Sequence, residues 1–204
     1  MTAKPAHFSM MTLYSITGAP KYLTDSERKR FQAALPILEN PVERTFVEMI
    51  FWTGCRPCEA LGMSVSQVLL DDHFVIIRSA KKRGELKGKH FRPVPLPEFF
   101  VERLERTHNI RARLGDHRNA KLRLWTFSRT TGWRLTKRVM SEAGITGIQA
   151  NSRGLRHTMG TNGMVKHVPQ SRMQTWLGHE HPDTTAIYTN AVGAEDHAIA
   201  ARMW

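Results

Sequence analysis

Cysteine is scarce in this chain, and its scarcity excludes a disulfide framework. The 204 residues contain two cysteines, Cys55 and Cys58, which are too few to cross-link a small secreted domain with disulfides. They form a CxxC pair. The preceding segment FVEMIFW is predicted to be helical, however, whereas thioredoxin-like chemistry needs a buried strand there, and a zinc site needs a second pair of ligands. The sequence favours neither a redox site nor a metal, and no cofactor is predicted.

Long apolar runs are also missing. No stretch of about eighteen apolar residues occurs, so no membrane span is predicted. The N-terminal segment MTAKPAHFSMMTLYS lacks the apolar core of a signal peptide. We therefore expect a cytoplasmic protein without a membrane partner.

Acidic residues are in short supply. Thirty Lys and Arg face eighteen Asp and Glu, which gives a net charge of +12 and an isoelectric point near 10.3. Residues 78–92 contain seven basic residues and one acid, and residues 103–138 contain eleven more basic residues. A single charged run is usually a solvated face, but two such runs on a strongly basic chain favour a nucleic acid as partner. The alternative is a basic surface without a function.

The hydrophobic pattern predicts an α+β fold that is mainly α, with a small antiparallel sheet. Thr24 and Glu27 form the signature of a capping box at a helix start, and residues 41–54 begin with Pro and end with Gly, as helices commonly do. A short helix is expected at 57–63. The segment VLLDDHFVIIRSA predicts two strands around an Asp-Asp turn, and HFRPVPL predicts a third. Pro93 and Pro95 confine that third strand to an edge of the sheet.

The rest of the chain is predicted to be mostly helical, and its beginning irregular. Residues 1–20 contain Pro5, Gly18 and Pro20 and are interpreted as a tail or linker, which leaves 21–204 as one domain. The predicted later helices are 129–143, 155–166, 169–178, 183–191 and 194–203.

A few residues could carry chemistry. Arg56 follows a helix-ending glycine at the start of the next helix, where it could hold a phosphate or pair with Glu59. Arg153 and Arg156 are three apart, so they share a helix face and could grip an anion or be simply solvated. His179 precedes a turn at Pro182, and a turn must bring it to Tyr188, one of three tyrosines. Tyr188 could be a packed side chain or a nucleophile.

Four segments in this order resemble the tyrosine recombinases, or phage integrase family. They are TGCRPCEAL, the lysine-rich hairpin, GLRHTMGT and WLGHEHPDTTAIYTN. The resemblance covers about residues 22–204 and thus a whole tyrosine-recombinase catalytic fold, and the segments LWTFSRTTGWRLTKRVM and GAEDHAIAARMW are similar to small integrases of mobile elements.

The resemblance implies a role for each matched residue. Tyr188 would attack a DNA phosphodiester and form a 3′-phosphotyrosyl bond. Arg56 and Arg156 would clamp the phosphate, His179 would hydrogen-bond to it, and Lys81 of the hairpin would protonate the leaving 5′ oxygen. A phenol has a pKa near 10, so we expect nearby cations to favour its ionised form.

Two departures from the family pattern are visible. The position three residues before the second arginine, usually His, is Arg153, which can bind phosphate but cannot act as a base. We expect altered or slower chemistry, and expect His157 to lie too far around the helix to substitute directly. The hairpin also offers Lys82 and Lys87 besides Lys81; strand alternation lets only one of Lys81 and Lys82 face DNA, and Lys81 is our choice.

The implied function is site-specific DNA recombination, for integration, excision or inversion. The implied partners are double-stranded DNA and three further copies in a homotetramer on DNA, with a monomer when free, in the bacterial cytoplasm at the nucleoid. The tail before Tyr22 is too short for the separate DNA-clamping domain of many members, so an accessory or N-terminal clamping partner is expected, or the chain is a piece of a longer recombinase. The alternatives are a non-catalytic DNA-binding accessory protein, favoured by Arg153, and a type IB-like topoisomerase.

Overall fold

The structure is a computed structural model that describes residues 13–79, 91–179, 183–190 and 200–201. Within these residues the chain forms ten α-helices and one three-stranded sheet. The helices are α1 (Asp25–Ala34), α2 (Pro41–Thr53), α3 (Pro57–Leu61), α4 (Glu98–His108), α5 (Ile110–Leu114), α6 (His117–Ala120), α7 (Arg129–Glu142), α8 (Ser152–Val165), α9 (Gln170–Leu177) and α10 (Asp183–Ala186), with short 3-10 helices at Leu35–Ile37, Val65–Gln67 and Ile187–Asn190. The predicted mainly helical α+β class is confirmed.

The sheet has the order β1-β2-β3 and is antiparallel throughout. Its strands are β1 (Val68–Leu69), β2 (Phe74–Arg78) and β3 (Phe91–Pro95). Pro93 lies opposite Ile76 and Pro95 opposite Phe74, and a proline has no N–H to give to a further strand. The strand with the two prolines is therefore at the edge of the described sheet, as predicted.

Helix α2 is the centre of the main core. Residues 45–51 are all buried, on every face of the helix, and α4, α7 and α8 pack around it. Asn40 caps its start by accepting from the Val42 N–H, Pro41 is its first residue, and Gly54 ends it in a left-handed conformation. The sequence prediction for 41–54 is thus confirmed, and so is the capping box of Thr24 and Glu27 at α1.

A second, smaller cluster joins the first described residues to the C-terminal part. Leu13, Tyr22, Met173, Leu177 and Tyr188 are its buried members. Leu13 belongs to the segment predicted to be a tail, and its carbonyl accepts from the Lys21 N–H at 2.8 Å. The boundary after residue 20 stays a prediction, and residues 1–12 lie outside the described part.

The later helices largely follow the prediction. Helices α7, α8 and α9 match the expected segments within a few residues. The predicted helix 183–191 is split into α10 and a 3-10 helix, and most of 194–203 lies outside the described residues. No helix in the described ranges is both long and apolar enough to cross a bilayer.

Candidate active site

Arg156 on α8 holds together the ends of two other helices. Its guanidinium donates to the Gly54 carbonyl at 2.8 Å and to the Leu177 carbonyl, which are the C-terminal ends of α2 and α9. Burial, and then the charge of Arg56, lower its pKa to about 10, so it remains a cation at neutral pH. Because the chain continues from these ends to Arg56 and His179, Arg156 brings both predicted residues to one place.

Arg56 is the N-cap residue of α3 and pairs with Glu59. One Nη donates to the Glu59 carboxylate at 2.9 Å, and the backbone N–H of Arg56 donates to its other oxygen at 3.0 Å. The Arg56 side chain is 31% exposed and that of Glu59 is fully buried. The ion pair considered as the alternative for Arg56 is therefore present, and it still leaves part of the guanidinium open to a ligand.

A second buried arginine, Arg92 of β3, shares that carboxylate. It donates to Glu59 at 2.7 Å, to the Ser79 hydroxyl at 2.9 Å and to the Trp176 carbonyl at 2.8 Å. Gly178 makes this contact possible, because a Cβ there would lie 3.0 Å from an Arg92 Nη and the residue has a φ of +65°. Sequence analysis counted Arg92 only as part of a basic run. Strand alternation places Arg92 on the same face of β3 as the apolar Val94, and that was the available signal.

His179 follows the left-handed Gly178 at the end of α9. Its Nδ1 lies 2.8 Å from the Thr185 hydroxyl of α10, and its ring stacks on that of Tyr188 with centroids 6.0 Å apart. Burial, and then Arg156 and Arg56, lower its pKa to about 3. The imidazole is therefore neutral at physiological pH and can donate a hydrogen bond to an anion through a nitrogen that carries a proton.

Tyr188 lies in the 3-10 helix after α10 and is 2% exposed. Its ring rests on α8 at Gly160, where a Cβ would come within 2.5 Å of Cζ. Burial raises the pKa of the phenol, and Arg156, Arg153 and Arg56 act in the opposite direction. We expected the cations to favour the ionised form; they do act that way, but burial outweighs them in this conformation.

A sequence model of the phage integrase family matches residues 21–194. The chain belongs to this family. Among its relatives, tyrosine recombinase XerD of Neisseria meningitidis serogroup B is 30% identical over 181 residues, which are 84% of this chain and 58% of the relative. The chain therefore spans about three fifths of the length of the curated relatives it matches.

Solved structures of recombinases share the fold. XerA recombinase matches with a TM-score of 0.72 at 25% identity, over 89% of this chain and 64% of that one. XerH site-specific recombinase bound to its difH substrate matches with a TM-score of 0.71 at 20% identity, over 100% of this chain and 58% of that one. The predicted recombinase-type catalytic fold is thereby confirmed.

Arg153, at the position where the family usually has histidine, differs from Arg156 in its surroundings. Arg153 is exposed near the start of α8, whereas Arg156 is buried. Its charge still lowers the pKa values of Tyr188 and His157, so it belongs to the electrostatic environment of the site. Although the two arginines are spaced to share a helix face, one is exposed to solvent and the other is buried.

His157 is the residue that sequence analysis placed wrongly. We expected it to lie too far around the helix to substitute directly for the family's histidine, but its Nδ1 lies 3.4 Å from the Tyr188 hydroxyl and the centroids of the two rings are 5.9 Å apart. The reason is helical geometry: His157 follows Arg153 by four residues, which is one turn, so the two lie on the same face of α8.

The hairpin lysines fall in the gap between β2 and β3. Lys81, Lys82 and Lys87 lie outside the described residues. The choice of Lys81 therefore stays a prediction. On either side of these undescribed residues, Arg92 donates a hydrogen bond to the Ser79 hydroxyl. Arg92 also donates to Glu59.

Proposed function

We propose that this chain is the catalytic domain of a site-specific DNA recombinase that cleaves and rejoins DNA through a 3′-phosphotyrosyl bond to Tyr188. The observation that carries the proposal is the convergence of one tyrosine with Arg56, Arg156 and His179 from three different parts of the chain. Each of these residues acts electrostatically or by stacking on another member of the group. Membership of the phage integrase family supports the same chemistry.

The proposed roles follow from the charges. Arg56 and Arg156 stabilise the negative charge that grows on the non-bridging oxygens of the phosphate, with Arg153 as a further donor and His179 hydrogen-bonding to the same group. Lys81 supplies a proton to the leaving 5′ oxygen. The covalent bond to tyrosine conserves the free energy of the phosphodiester, so a 5′-hydroxyl can reverse the step without ATP.

The buried state of Tyr188 adds a requirement. A residue that is 2% exposed cannot present its hydroxyl to a DNA strand where it lies. We therefore infer that the segments covering the hydroxyl move aside when DNA binds, while Tyr188 keeps its place on α8 beside Gly160 and His157.

Double-stranded DNA is the proposed partner. The net charge of +12 matches a polyanion, and exposed arginines line the outer face of α7 at positions 129, 134 and 138. The Tn1549 transposon integrase, which shares the fold, is in complex with transposon right end DNA. The proposal further includes a homotetramer on DNA and an accessory or N-terminal clamping partner. It places the protein at the bacterial nucleoid.

The test is covalent capture on DNA whose sequence need not be known in advance. A pool of nicked duplexes with randomised arms is incubated with the protein, and complexes that survive denaturant are isolated and sequenced. We expect such an adduct from the unmodified chain and none from Tyr188→Phe. Tyr22→Phe is the matched control, because Tyr22 is a buried tyrosine of the same cluster and its substitution should leave the adduct intact.

The same assay separates the alternatives. DNA retention without a covalent adduct would show a binding protein and refute the proposal. Adducts on arbitrary supercoiled DNA, together with relaxation and no strand exchange, would show a topoisomerase instead.

A further inference from the structure

The buried imidazole of His157 faces the hydroxyl of the proposed nucleophile. His157 is 7% exposed, its Nδ1 is the hydrogen-bond partner of Tyr188 Oη at 3.4 Å, and Gly160, one turn further on α8, lets the ring approach. Its Nε2 is buried and makes no hydrogen bond to the described residues. With Nδ1 as acceptor, the proton of a neutral imidazole sits on that Nε2.

The other groups around the hydroxyl are poorly suited to take its proton. Arg153 and Arg156 are cations and have no acceptor atom. His179 stacks on the ring face, and its Nδ1 is engaged with Thr185. The position at which the family usually carries histidine is Arg153, so the usual candidate is absent from this chain.

We propose that His157 is a catalytic residue that accepts the phenolic proton of Tyr188 during cleavage and returns it during rejoining. The proposal rests on the proposed recombinase function and deepens it, because it supplies a base that the substitution at position 153 removes.

The electrostatics of the site fit an acceptor. Burial, followed by the charges of Arg153, Arg156 and Lys21, lowers the pKa of His157 to about 4, so its nitrogen is free of a proton at neutral pH. A bound phosphate anion would offset those three cations and make the imidazole more basic when the substrate is present. The phenol itself becomes strongly acidic as its oxygen bonds to phosphorus, which drives the proton to the neighbouring nitrogen.

The proton and the bonds balance in both directions. In cleavage the Tyr188 Oη–H proton moves to His157 Nδ1, the Oη–P bond forms, the P–O5′ bond breaks, and the 5′ oxygen takes a proton from the lysine proposed above. In rejoining the 5′-hydroxyl gives up its proton to that lysine and attacks phosphorus, and the Tyr188 oxygen leaves and recovers its proton from His157.

The experiment measures single-turnover adduct formation on a nicked duplex recovered from the random pool. His157→Asn keeps a polar atom near Nδ1 but cannot take a proton, and we expect a rate lower by about 100- to 10,000-fold, the usual range for a general base. His108→Gln is the matched control. His108 is also 7% exposed, burial lowers its pKa to about 4, and it lies on α4, where its Nε2 bonds to Thr45.

A chemical readout separates a base from a merely structural residue. Fluorinated tyrosine at position 188 has a more acidic phenol and depends less on a base, so it should restore part of the rate in His157→Asn and have a smaller effect with His157 present. A misfolded variant lowers the amplitude of the burst, not its rate constant. His157→Gln is a second variant in case the first does not fold.

The outcomes are distinct. No adduct from the unmodified chain on any duplex overturns both proposals. A Tyr188-dependent adduct that forms at an unchanged rate in both His157 variants, or a loss that fluorination does not reduce, overturns the role of His157 and leaves the recombinase function standing.

Discussion

Removing the buried charge of Arg92 should strongly destabilise the protein. Its side chain is 5% exposed and that of Glu59 is fully buried, with 2.7 Å between them. Arg92→Met leaves a desolvated carboxylate with one cation instead of two, and breaking a buried pair in this way costs about 3–5 kcal/mol. The hydrogen bonds to Ser79 and the Trp176 carbonyl are lost as well.

The same substitution should also weaken the binding of phosphate by Arg56. Glu59 accepts from both Arg92 and Arg56, and without Arg92 its full charge attracts Arg56 alone. The Arg56 guanidinium is then drawn towards the carboxylate and away from a phosphate. A double variant, Arg92→Met with Glu59→Gln, removes the unpaired charge, so it should be less destabilised than the sum of the two single variants by about 0.5–3 kcal/mol.

Urea unfolding of the single and double variants measures these effects. The control is Arg111→Met, which breaks an ion pair with Asp71 of the same 2.7 Å length but with side chains 63% and 82% exposed. An exposed pair contributes little to stability, because water screens the two charges. If Arg92→Met costs no more than Arg111→Met, or if the two single losses simply add, the reasoning about the shared carboxylate is refuted.

Two further predictions concern Tyr188 and the buried histidines. Gly160→Ala places a Cβ where the Tyr188 ring lies, so it should lower the free energy of unfolding by about 1–3 kcal/mol in thermal melts, whereas Gly115→Ala, whose Cβ would make only an ordinary contact, should not. His108 and His157 have folded pKa values near 4 against about 6.5 unfolded. Their contribution to the free energy of unfolding is present above pH 6.5 and should be lost on acidification towards pH 4, at up to about 1.4 kcal/mol per pH unit for each histidine. His108→Gln should reduce the slope of the unfolding free energy against pH by that amount. An unchanged slope would contradict the assignment.

Local signals in the sequence predicted the parts of the fold that depend on local interactions. The capping box of Thr24 and Glu27, the Pro41 start and Gly54 end of α2, and the edge position imposed by Pro93 each involve residues a few positions apart, and each prediction was confirmed. The bonds of Arg156 span 102 and 21 residues. No local pattern specifies such partners, so the resemblance named the residue and only the structure gave its partners.

The failure at His157 has a specific physical origin. Helical spacing tells which residues share a face, and Arg153 and His157, four residues apart on α8, do share one; it does not tell which element covers that face. His157 and Gly160 lie three apart and both are buried, and a glycine on the buried face of a helix indicates a large side chain in close approach. At Gly160 that side chain is Tyr188, but the other buried glycines of α8, Gly154 and Gly163, face the Gln149 backbone and Met173 instead. A glycine therefore shows that something approaches closely, and only the tertiary structure shows that it is the nucleophile.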